Sequence, residues 1–200
     1  SLDRKVCNTV NTICILASEF SQQWPVVERA LSTAGELLGQ AYKVHIESGS
    51  QDRFSKDLFT KRVQVVRADG VHEEPQFEII ERSGLGTEWE WEQTPEVTVV
   101  VVNSVDEGIA LFNQYSPQFV ASLVTQNQLE LTAFFNAINA PFVGNGMTRW
   151  VDGQYALHSP ELGLSNWENG RFLARSAILS GDSVFTTRLK MNQVAPGLKR

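Results

Sequence analysis

Alternating stretches of apolar and polar residues along the first half of the chain predict strands around one long helix. The apolar run from Thr12 to Ala17 has the composition of a buried strand. From Gln23 to Gln40, apolar residues recur at three- and four-residue steps, which predicts a helix with Pro25 in its first turn. The stretches Tyr42 to Glu47 and Lys61 to Arg67 alternate as strands do.

The stretch Asp69 to Gly86 is rich in charge and glycine and has no regular periodicity. We expect an irregular excursion on the surface there. The short patch that follows, Glu88 to Glu92, alternates glutamate and tryptophan. Alternating glutamates of this kind are typical of the solvent-facing side of a strand.

The second half of the chain has the order strand, helix, strand, helix, strand. The β-branched run from Glu96 to Val102 is typical of a strand buried on both faces of a parallel sheet. The elements predicted after it are a helix, a strand, a helix and a strand at Val105 to Tyr115, Phe119 to Val124, Gln128 to Asn139 and Ala140 to Gly144. This order predicts an α/β fold with an open, mostly parallel sheet and helices on both faces.

Periodicity is lost after Gly144. The stretch Asn145 to Ser183 contains glycines, Pro160 and several aromatic residues, so we expect a long loop-rich segment. Such a segment after a parallel strand is where α/β enzymes place their sites, outside the carboxyl ends of the strands. Val184 to Arg188 predicts a last strand. We assign residues 1–190 to one domain and residues 191–200 to a tail.

Charge and cysteine usage narrow the classes of function. The net charge of -6 argues against a nucleic-acid partner, which selects for a basic face, but a small anionic substrate needs only one or two local arginines. The longest apolar run, Val97 to Val102, is too short to span a bilayer, so we expect no membrane partner. Two cysteines and no recognisable signal sequence predict a cytoplasmic protein.

Cys7 is the first candidate for chemistry. It precedes Asn8 and Thr9 in a polar turn before the first strand, and Arg4 and Lys5 lie just before it. Backbone N–H dipoles and basic neighbours both favour the reactive thiolate. A buried structural thiol is the alternative interpretation, and it is also the one we assign to Cys14 inside the apolar run.

Other common kinds of site are not predicted. The three histidines, His45, His72 and His158, have neither mutual nor cysteine spacing of metal ligands, so we assign no metal site. No G-x-S-x-G run or phosphate-binding glycine loop is present in the sequence. Arg149 could hold a carboxylate or phosphate as a bidentate donor, or it could simply stack on Trp150 at the surface.

Several motifs in order resemble those of the γ-glutamyl phosphate reductases, in the aldehyde dehydrogenase superfamily. The first is Cys7-Asn8-Thr9 leading to Thr12, which resembles that family's C-N-x-x-E/N-T run. The others resemble its N-x-S-T-R-F-x-D-G, G-A-E-[IV]-[GA]-[IV]-S and H-A-R-G-P-M-G runs, at Asn145 to Gly153, Pro160 to Ser165 and Ala174-Arg175. The chain departs from the pattern at Met147, where the family has serine, and after Arg175, where Ser176 to Leu179 replace G-P-M-G.

The resemblance implies an aldehyde dehydrogenase catalytic domain that reduces γ-glutamyl phosphate to glutamate-5-semialdehyde with NADPH, in proline biosynthesis. It implies Cys7 as the nucleophile that forms a thioester. Implied substrate-binding residues are Asn8, Asn145, Thr148, Arg149, Glu161 and Ser165. Glu88 or Glu90 would contact the cofactor ribose, and the alignment does not choose between them. The resemblance also implies that NADPH is bound mainly by an N-terminal cofactor-binding domain absent from this chain, that the fragment is inactive alone, and that the full-length protein is a homo-oligomer.

Two rival functions stay open at this point. An aldehyde-oxidising dehydrogenase of the same superfamily would need a general base to hydrolyse the thioester. A non-catalytic binding or scaffold module derived from these enzymes would have an unreactive Cys7. Assays with an acyl phosphate and NADPH, and then with an aldehyde and NAD, distinguish the reductase from the first rival. Thiol alkylation rates distinguish the reductase from the second rival.

Overall fold

The computed structural model describes residues 9–91 and 93–146, with Leu2, Lys5 and Lys190 and the backbone of residues 167–168 and 171–172. The strands are β1 (Thr12–Leu16), β2 (Lys43–Glu47), β3 (Arg62–Arg67), β4 (Gly70–Pro75), β5 (Phe77–Ile80), β6 (Glu96–Val102), β7 (Val120–Ser122), β8 (Phe142–Gly144), β9 (Trp167–Glu168) and β10 (Arg171–Phe172). The helices are α1 (Phe20–Leu37), α2 (Val105–Tyr115) and α3 (Gln128–Ala137). Short 3-10 turns lie at Gln51–Arg53, Lys56–Phe59 and Arg82–Gly86.

Four strands form the main sheet in the order β1-β6-β2-β5, and every neighbouring pair is parallel. Strand β6 lies between β1 and β2, with Thr98 opposite Thr12 on one side and His45 on the other. Strands β7 and β8 form a second parallel pair. The predicted α/β fold with a mostly parallel sheet is confirmed.

The two faces of β6 are covered by different helices, as its β-branched composition predicts. Val97 and Val99 belong to the larger core, which includes residues of α1. Val100 and Val102 face the opposite side and pack with Leu111 of α2. Side chains alternate along a strand, so a run of valines can supply both cores at once.

Helix α1 begins earlier than its spacing predicts. Phe20 lies one turn before Trp24, and both rings pack against Phe54 in the larger core. This burial extends the helix toward its amino end, so Pro25 lies in the second turn and not in the first. At the other end, Gly39 has a φ of 68° and its N–H donates to the carbonyl of Glu36, which closes the helix in a left-handed cap.

The predicted excursion at Asp69 to Gly86 is wrong. Strand β4 pairs with β3 in an antiparallel hairpin, and β5 is the edge strand of the main sheet next to β2. Two of the charges that suggested a loop, Glu73 and Glu74, lie on β4 and pair with Arg62 and Arg67 of β3. The Phe77 ring is buried in the larger core, and this burial holds β5 in place although the strand is only four residues long.

The elements after β6 match the predicted order, and β7, α3 and β8 are shorter than their predicted ranges. Helix α2 has the predicted bounds, and Ser104 caps it by accepting a hydrogen bond from the N–H of Glu107. Helix α3 is capped by Asn127, which accepts from the N–H groups of Leu129 and Glu130. The predicted strand Val184 to Arg188 and the predicted tail lie outside the described residues.

The parallel pairing of β2 and β5 gives a matched test of the core. Ile46 and Ile79 are opposite each other in register, but Ile46 is 0% exposed and Ile79 is 51% exposed. We expect Ile46→Ala to lower the free energy of unfolding by about 2–5 kcal/mol, because it leaves a cavity in the core. Ile79→Ala should cost about 1 kcal/mol or less. Urea denaturation of both variants measures this, and equal losses would contradict the described packing.

Candidate active site

Two segments that precede adjacent strands meet at the amino edge of the main sheet. Parallel strands begin at the same edge, so the residues leading into β1 and into β6 are brought together. The backbone shows this contact directly, because the N–H of Thr98 donates to the carbonyl of Asn11 at 2.8 Å. Along the chain, Asn11 comes four residues after Cys7, and the Glu88 to Glu92 patch ends four residues before β6. The cysteine-bearing segment and the acidic patch therefore lead into neighbouring strands.

The side chain of Asn11 holds the acidic patch against β1. Its amide nitrogen donates to the carbonyl of Thr87 at 2.7 Å, and its amide oxygen accepts from the N–H of Trp89 at 3.1 Å. One side chain thus bonds to the backbone on both sides of Glu88. We call this arrangement the Asn11 bracket.

In the described part of the patch, the tryptophans face the protein and Glu88 and Glu90 face outward, although no strand forms over residues 88–91. The Trp89 ring stacks on His45 with centroids 3.5 Å apart and planes 6° from parallel. The indole N–H of Trp89 donates to the hydroxyl of Thr98 at 2.8 Å. Trp91 is buried, whereas Glu88 and Glu90 are exposed. The in-and-out alternation is as the sequence predicts, but the predicted strand is wrong for the described part of this patch.

Glu88 and Glu90 differ in how their backbone is held, although both carboxylates are exposed. Neither carboxylate has a hydrogen bond or ion pair with any of the described residues, so both are available to an external group. The Asn11 bracket encloses Glu88 next to β1. The carbonyl of Glu90 instead accepts from Arg67 of the hairpin at 3.1 Å. Glu88 is therefore the glutamate fixed beside the strand that follows Cys7.

A buried network of charges lies at this same edge, at the start of β2 and β6. Glu96 is 0% exposed, and its carboxylate contacts Nε2 of His45 at 2.6 Å and the guanidinium of Arg67. Arg67 also donates two hydrogen bonds to Glu74, at 2.9 and 2.7 Å. Lys43, which is 1% exposed, donates to Glu74 at 2.8 Å. Lys43 and His45 alternate with Val44 and Ile46 along β2, and all of these side chains are buried, so both faces of that strand are buried.

The protonation states in this network follow from the pairing. Burial acts to raise the pKa of Glu96, but hydrogen bonds from His45 and Arg67 outweigh it and hold the pKa below its usual value. For Glu74, the hydrogen bonds from Arg67 and then Lys43 lower the pKa to about 2. An ionised Glu96 can only accept, so Nε2 of His45 carries the proton. Nδ1 of His45 is buried without a hydrogen-bond partner among the described residues, 3.8 Å from Glu78.

Cys14 lies on β1, the strand that follows the Cys7 segment. Its side chain is exposed, so the predicted burial is wrong. Many protein atoms nevertheless surround the sulfur. Desolvation there, followed by the nearby Glu107 carboxylate, raises the pKa of the thiol to about 11. At neutral pH the Cys14 thiol is therefore protonated and a weak nucleophile.

Of the other predicted site residues, only Asn145 is described. It follows β8, and its amide nitrogen donates to the carbonyl of Thr125 at 3.3 Å. The N–H of the next residue, Gly146, donates to the hydroxyl of Ser122 at 2.6 Å. The predicted residues that lie outside the described part of the chain are Cys7, Asn8, Thr148, Arg149, Glu161 and Ser165.

At its carboxyl end, the main sheet carries a second polar cluster. Buried Glu47 accepts from the hydroxyl of Ser50 at 3.1 Å and from Arg82 at 3.0 Å, and Ser50 in turn accepts from the N–H of Val101. These contacts pair the Glu47 carboxylate and the Ser50 hydroxyl within the protein. The predicted position of a site, outside the carboxyl ends of the strands, concerns a loop beyond the described residues. In the described part, the exposed Glu88 carboxylate, which bonds to none of the described residues, lies beside β1 at the amino edge.

Among residues 9–91 and 93–146 and the few others described, no three or more histidine, cysteine and acidic side chains form a group that could hold a metal ion. None of the helices in this part of the chain has the length and hydrophobicity needed to cross a membrane.

The fold and these contacts define a domain of the open, parallel α/β class with a polar amino edge. In its fold, the chain is similar to the crystal structure of γ-glutamyl phosphate reductase from Thermotoga maritima, with a TM-score of 0.65. The superposition covers 95% of this chain and 39% of that chain, at 18% sequence identity. At this level of identity the likeness shows the shared fold.

Curated proteins named γ-glutamyl phosphate reductase are similar in sequence. The protein from Geobacillus thermodenitrificans is 29% identical over 164 residues, which is 80% of this chain and 31% of that protein. The one from Oceanobacillus iheyensis is 24% identical over 162 residues, covering 80% of this chain and 32% of that protein. The match thus spans about a third of the length of these relatives. No protein-family model matches the chain. The resemblance to this family, predicted from the motifs, is confirmed.

Sequence reasoning missed Asn11 and the His45 network. Asn11 occupies the E/N position of the C-N-x-x-E/N-T run, and this was the only signal that could have singled it out. His45 is 51 residues from its partner Glu96, and no spacing rule connects residues so far apart. Glu74, which is also part of the network, lies in the charged stretch for which we predicted only an irregular surface excursion.

The lowered pKa of Glu74 makes the stability of the domain depend on pH. A carboxyl with a depressed folded pKa stabilises the fold above its unfolded pKa of about 4.5, and this contribution is lost as pH falls toward about 2. We expect Glu74→Gln to lower the free energy of unfolding at pH 7 by about 2 kcal/mol, since charged hydrogen bonds are lost. The difference from the unmodified protein should shrink between about pH 4.5 and pH 2.

Urea unfolding at several pH values measures this difference. Glu73→Gln is the matched control, because Glu73 lies on the same strand and is 60% exposed in its pair with Arg62. Surface pairs of this kind contribute little, so the control should lose under about 1 kcal/mol. A Glu74→Gln loss that stays constant from pH 7 to pH 2.5 would contradict the network.

Proposed function

We propose that this chain supplies the catalytic domain of a γ-glutamyl phosphate reductase, which reduces γ-glutamyl phosphate to glutamate-5-semialdehyde and phosphate. The observation that carries the proposal is the match to proteins of that name over 80% of the chain, in sequence order and with the same fold. The motif around Cys7 supports it further. The match spans about a third of each relative, so the other parts of the enzyme belong to segments that this chain does not include.

In the proposed reaction, Cys7 acts as a covalent nucleophile. Its thiolate attacks the acyl carbon of γ-glutamyl phosphate, the bond to the phosphate oxygen breaks, and inorganic phosphate leaves as a thioester forms. NADPH, when bound, supplies the hydride that reduces the thioester. The resulting tetrahedral oxyanion re-forms the carbonyl, and the carbon–sulfur bond breaks to release the aldehyde and regenerate the thiolate. The backbone N–H of Cys7 is the proposed donor to the oxyanion.

The remaining proposed roles follow the family resemblance. Arg149 and Thr148 would bind the anionic end of the substrate, since a guanidinium can pair with a carboxylate through two hydrogen bonds. Asn8 and Asn145 would contact the substrate as amide donors. Glu161 and Ser165 complete the proposed substrate-binding set.

Glu88 is the better candidate for the contact with the cofactor ribose. A carboxylate that makes no other bond can accept hydrogen bonds from ribose hydroxyls, so the residues present fit this part of NADPH. Glu88 and Glu90 both meet that requirement. The Asn11 bracket, however, fixes Glu88 beside the strand that follows Cys7, where a cofactor must approach to reduce a thioester on that cysteine. Glu90 is tied to Arg67 on the hairpin side.

The two cysteines give a matched test of the nucleophile. In the complete protein that carries this chain, we expect Cys7→Ser to lower the rate of NADPH oxidation with γ-glutamyl phosphate by about a thousandfold or more. Cys14→Ser should keep the rate within about twofold, because the Cys14 thiol has a pKa of about 11 and takes no part in the reaction. Activity retained by Cys7→Ser would remove the proposed mechanism.

Alkylation by iodoacetamide near neutral pH tests the same point without substrate. Cys7 should react fast and with a pH dependence that reports a lowered pKa, and Cys14 should react slowly. Equal slow rates for both cysteines would support a non-catalytic module instead. Turnover of an aldehyde with NAD, without turnover of the acyl phosphate, would support an oxidising dehydrogenase.

The two glutamates can be separated by their effect on the cofactor. We expect Glu88→Gln to raise the KM for NADPH by about tenfold, since charged hydrogen bonds to hydroxyls are lost, and to leave the KM for the acyl phosphate unchanged. Glu90→Gln should leave both constants within about twofold. Steady-state kinetics with each substrate varied in turn measures this. A larger effect of Glu90→Gln than of Glu88→Gln would reverse the assignment.

A further inference from the structure

We propose that Asn11 is a positioning residue that fixes the Glu88 carboxylate relative to the cysteine-bearing segment. This inference rests on the proposed function, in which Glu88 contacts the cofactor. It concerns a residue that touches neither substrate nor cofactor. The contact that carries it is the Asn11 bracket, formed by two hydrogen bonds of 2.7 and 3.1 Å to backbone groups 76 and 78 residues away.

The chemistry of a primary amide explains how Asn11 makes both contacts in this chain. The side chain offers a donor and an acceptor at once, so it can bond to the carbonyl of Thr87 and to the N–H of Trp89 together. An aspartate can only accept, and an alanine can do neither. Among the described residues, no other side chain bonds to the backbone of residues 87–89. Asn11 is therefore the described side chain that bonds to the backbone on both sides of Glu88, beside the anchored ring of Trp89.

A second bracket in the same fold shows what such a contact does when its role is structural. Asn113 of α2 donates to the carbonyl of Ala137 at 3.0 Å and accepts from the N–H of Asn139 at 2.7 Å. It thus encloses Ile138 as Asn11 encloses Glu88. Ile138 is 3% exposed and packs in the core between α2 and α3. That bracket serves to bury an apolar side chain.

The Asn11 bracket encloses the opposite kind of residue. Glu88 is exposed, and its carboxylate bonds to none of the described residues, so holding its backbone buries nothing. A fixed backbone beneath a free carboxylate instead sets where that charge is presented. The same asparagine is hydrogen-bonded to Thr98 through its carbonyl and lies four residues after Cys7. One residue therefore anchors both the strand leading from the nucleophile and the proposed cofactor contact.

The test compares the two brackets in the complete protein. We expect Asn11→Ala to raise the KM for NADPH by about five- to tenfold, with little change in the KM for γ-glutamyl phosphate. Asn113→Ala removes an equivalent pair of hydrogen bonds and should leave the KM for NADPH within about twofold. Urea unfolding of both variants checks that loss of stability alone does not explain the difference. Asn11→Asp keeps the acceptor for Trp89 but loses the donor to Thr87, so it provides a near-isosteric second variant that should also raise this KM.

A double-mutant cycle with Glu88→Gln decides whether Asn11 acts through Glu88. In the Glu88→Gln background, Asn11→Ala should raise the KM for NADPH by less than twofold more, because the carboxylate that it positions is already gone. Full additivity, or an unchanged KM in Asn11→Ala and Asn11→Asp while Glu88→Gln raises it, would overturn the inference and leave the proposed function intact. Failure of the proposed function has a separate signature, which is the absence of NADPH oxidation dependent on γ-glutamyl phosphate in the unmodified complete protein.

Discussion

The parallel pairing of β1 with β6 is the constraint on which the candidate site depends. Parallel strands start at one edge, so this pairing brings Asn11, which precedes β1, and the segment that contains Glu88 to the same side of the sheet. The pairing is itself held by the valines of β6, which pack into cores on both faces. A loss of core packing around β6 would therefore also displace the groups at the edge.

The charges at the start of β2 and β6 set a second constraint on that edge. Removing Lys43 and Glu96 from water has a large cost, and it is offset because each of these charges has a partner at hydrogen-bond distance. Two of these partners, Arg67 and Glu74, come from the β3–β4 hairpin. The hairpin is thereby fixed to the sheet. Trp89 then stacks on His45 and holds the acidic patch over this network.

The two asparagine brackets show that one local geometry can have different uses. Around Ile138 the bracket holds an apolar side chain in the core, and its value is packing. Around Glu88 it holds a side chain that points to solvent, so its value depends on what that carboxylate binds. The distinction cannot be seen in the asparagine itself, and it follows only from the burial of the residue that is enclosed.

The sequence by itself determined the class of fold, the central strand β6, the bounds of α2 and the likeness to the reductase family, because apolar periodicity and ordered motifs are local properties of a chain. It failed at β4 and β5, where buried Phe77 and the cross-strand pairs of Arg62 and Arg67 outweigh a charged composition. Only the tertiary structure decided that Asn11 meets Thr87 and Trp89 and that the polar face of β2 is buried. Those contacts depend on strand order, which places residues far apart in the chain side by side and leaves no periodic signal in either segment.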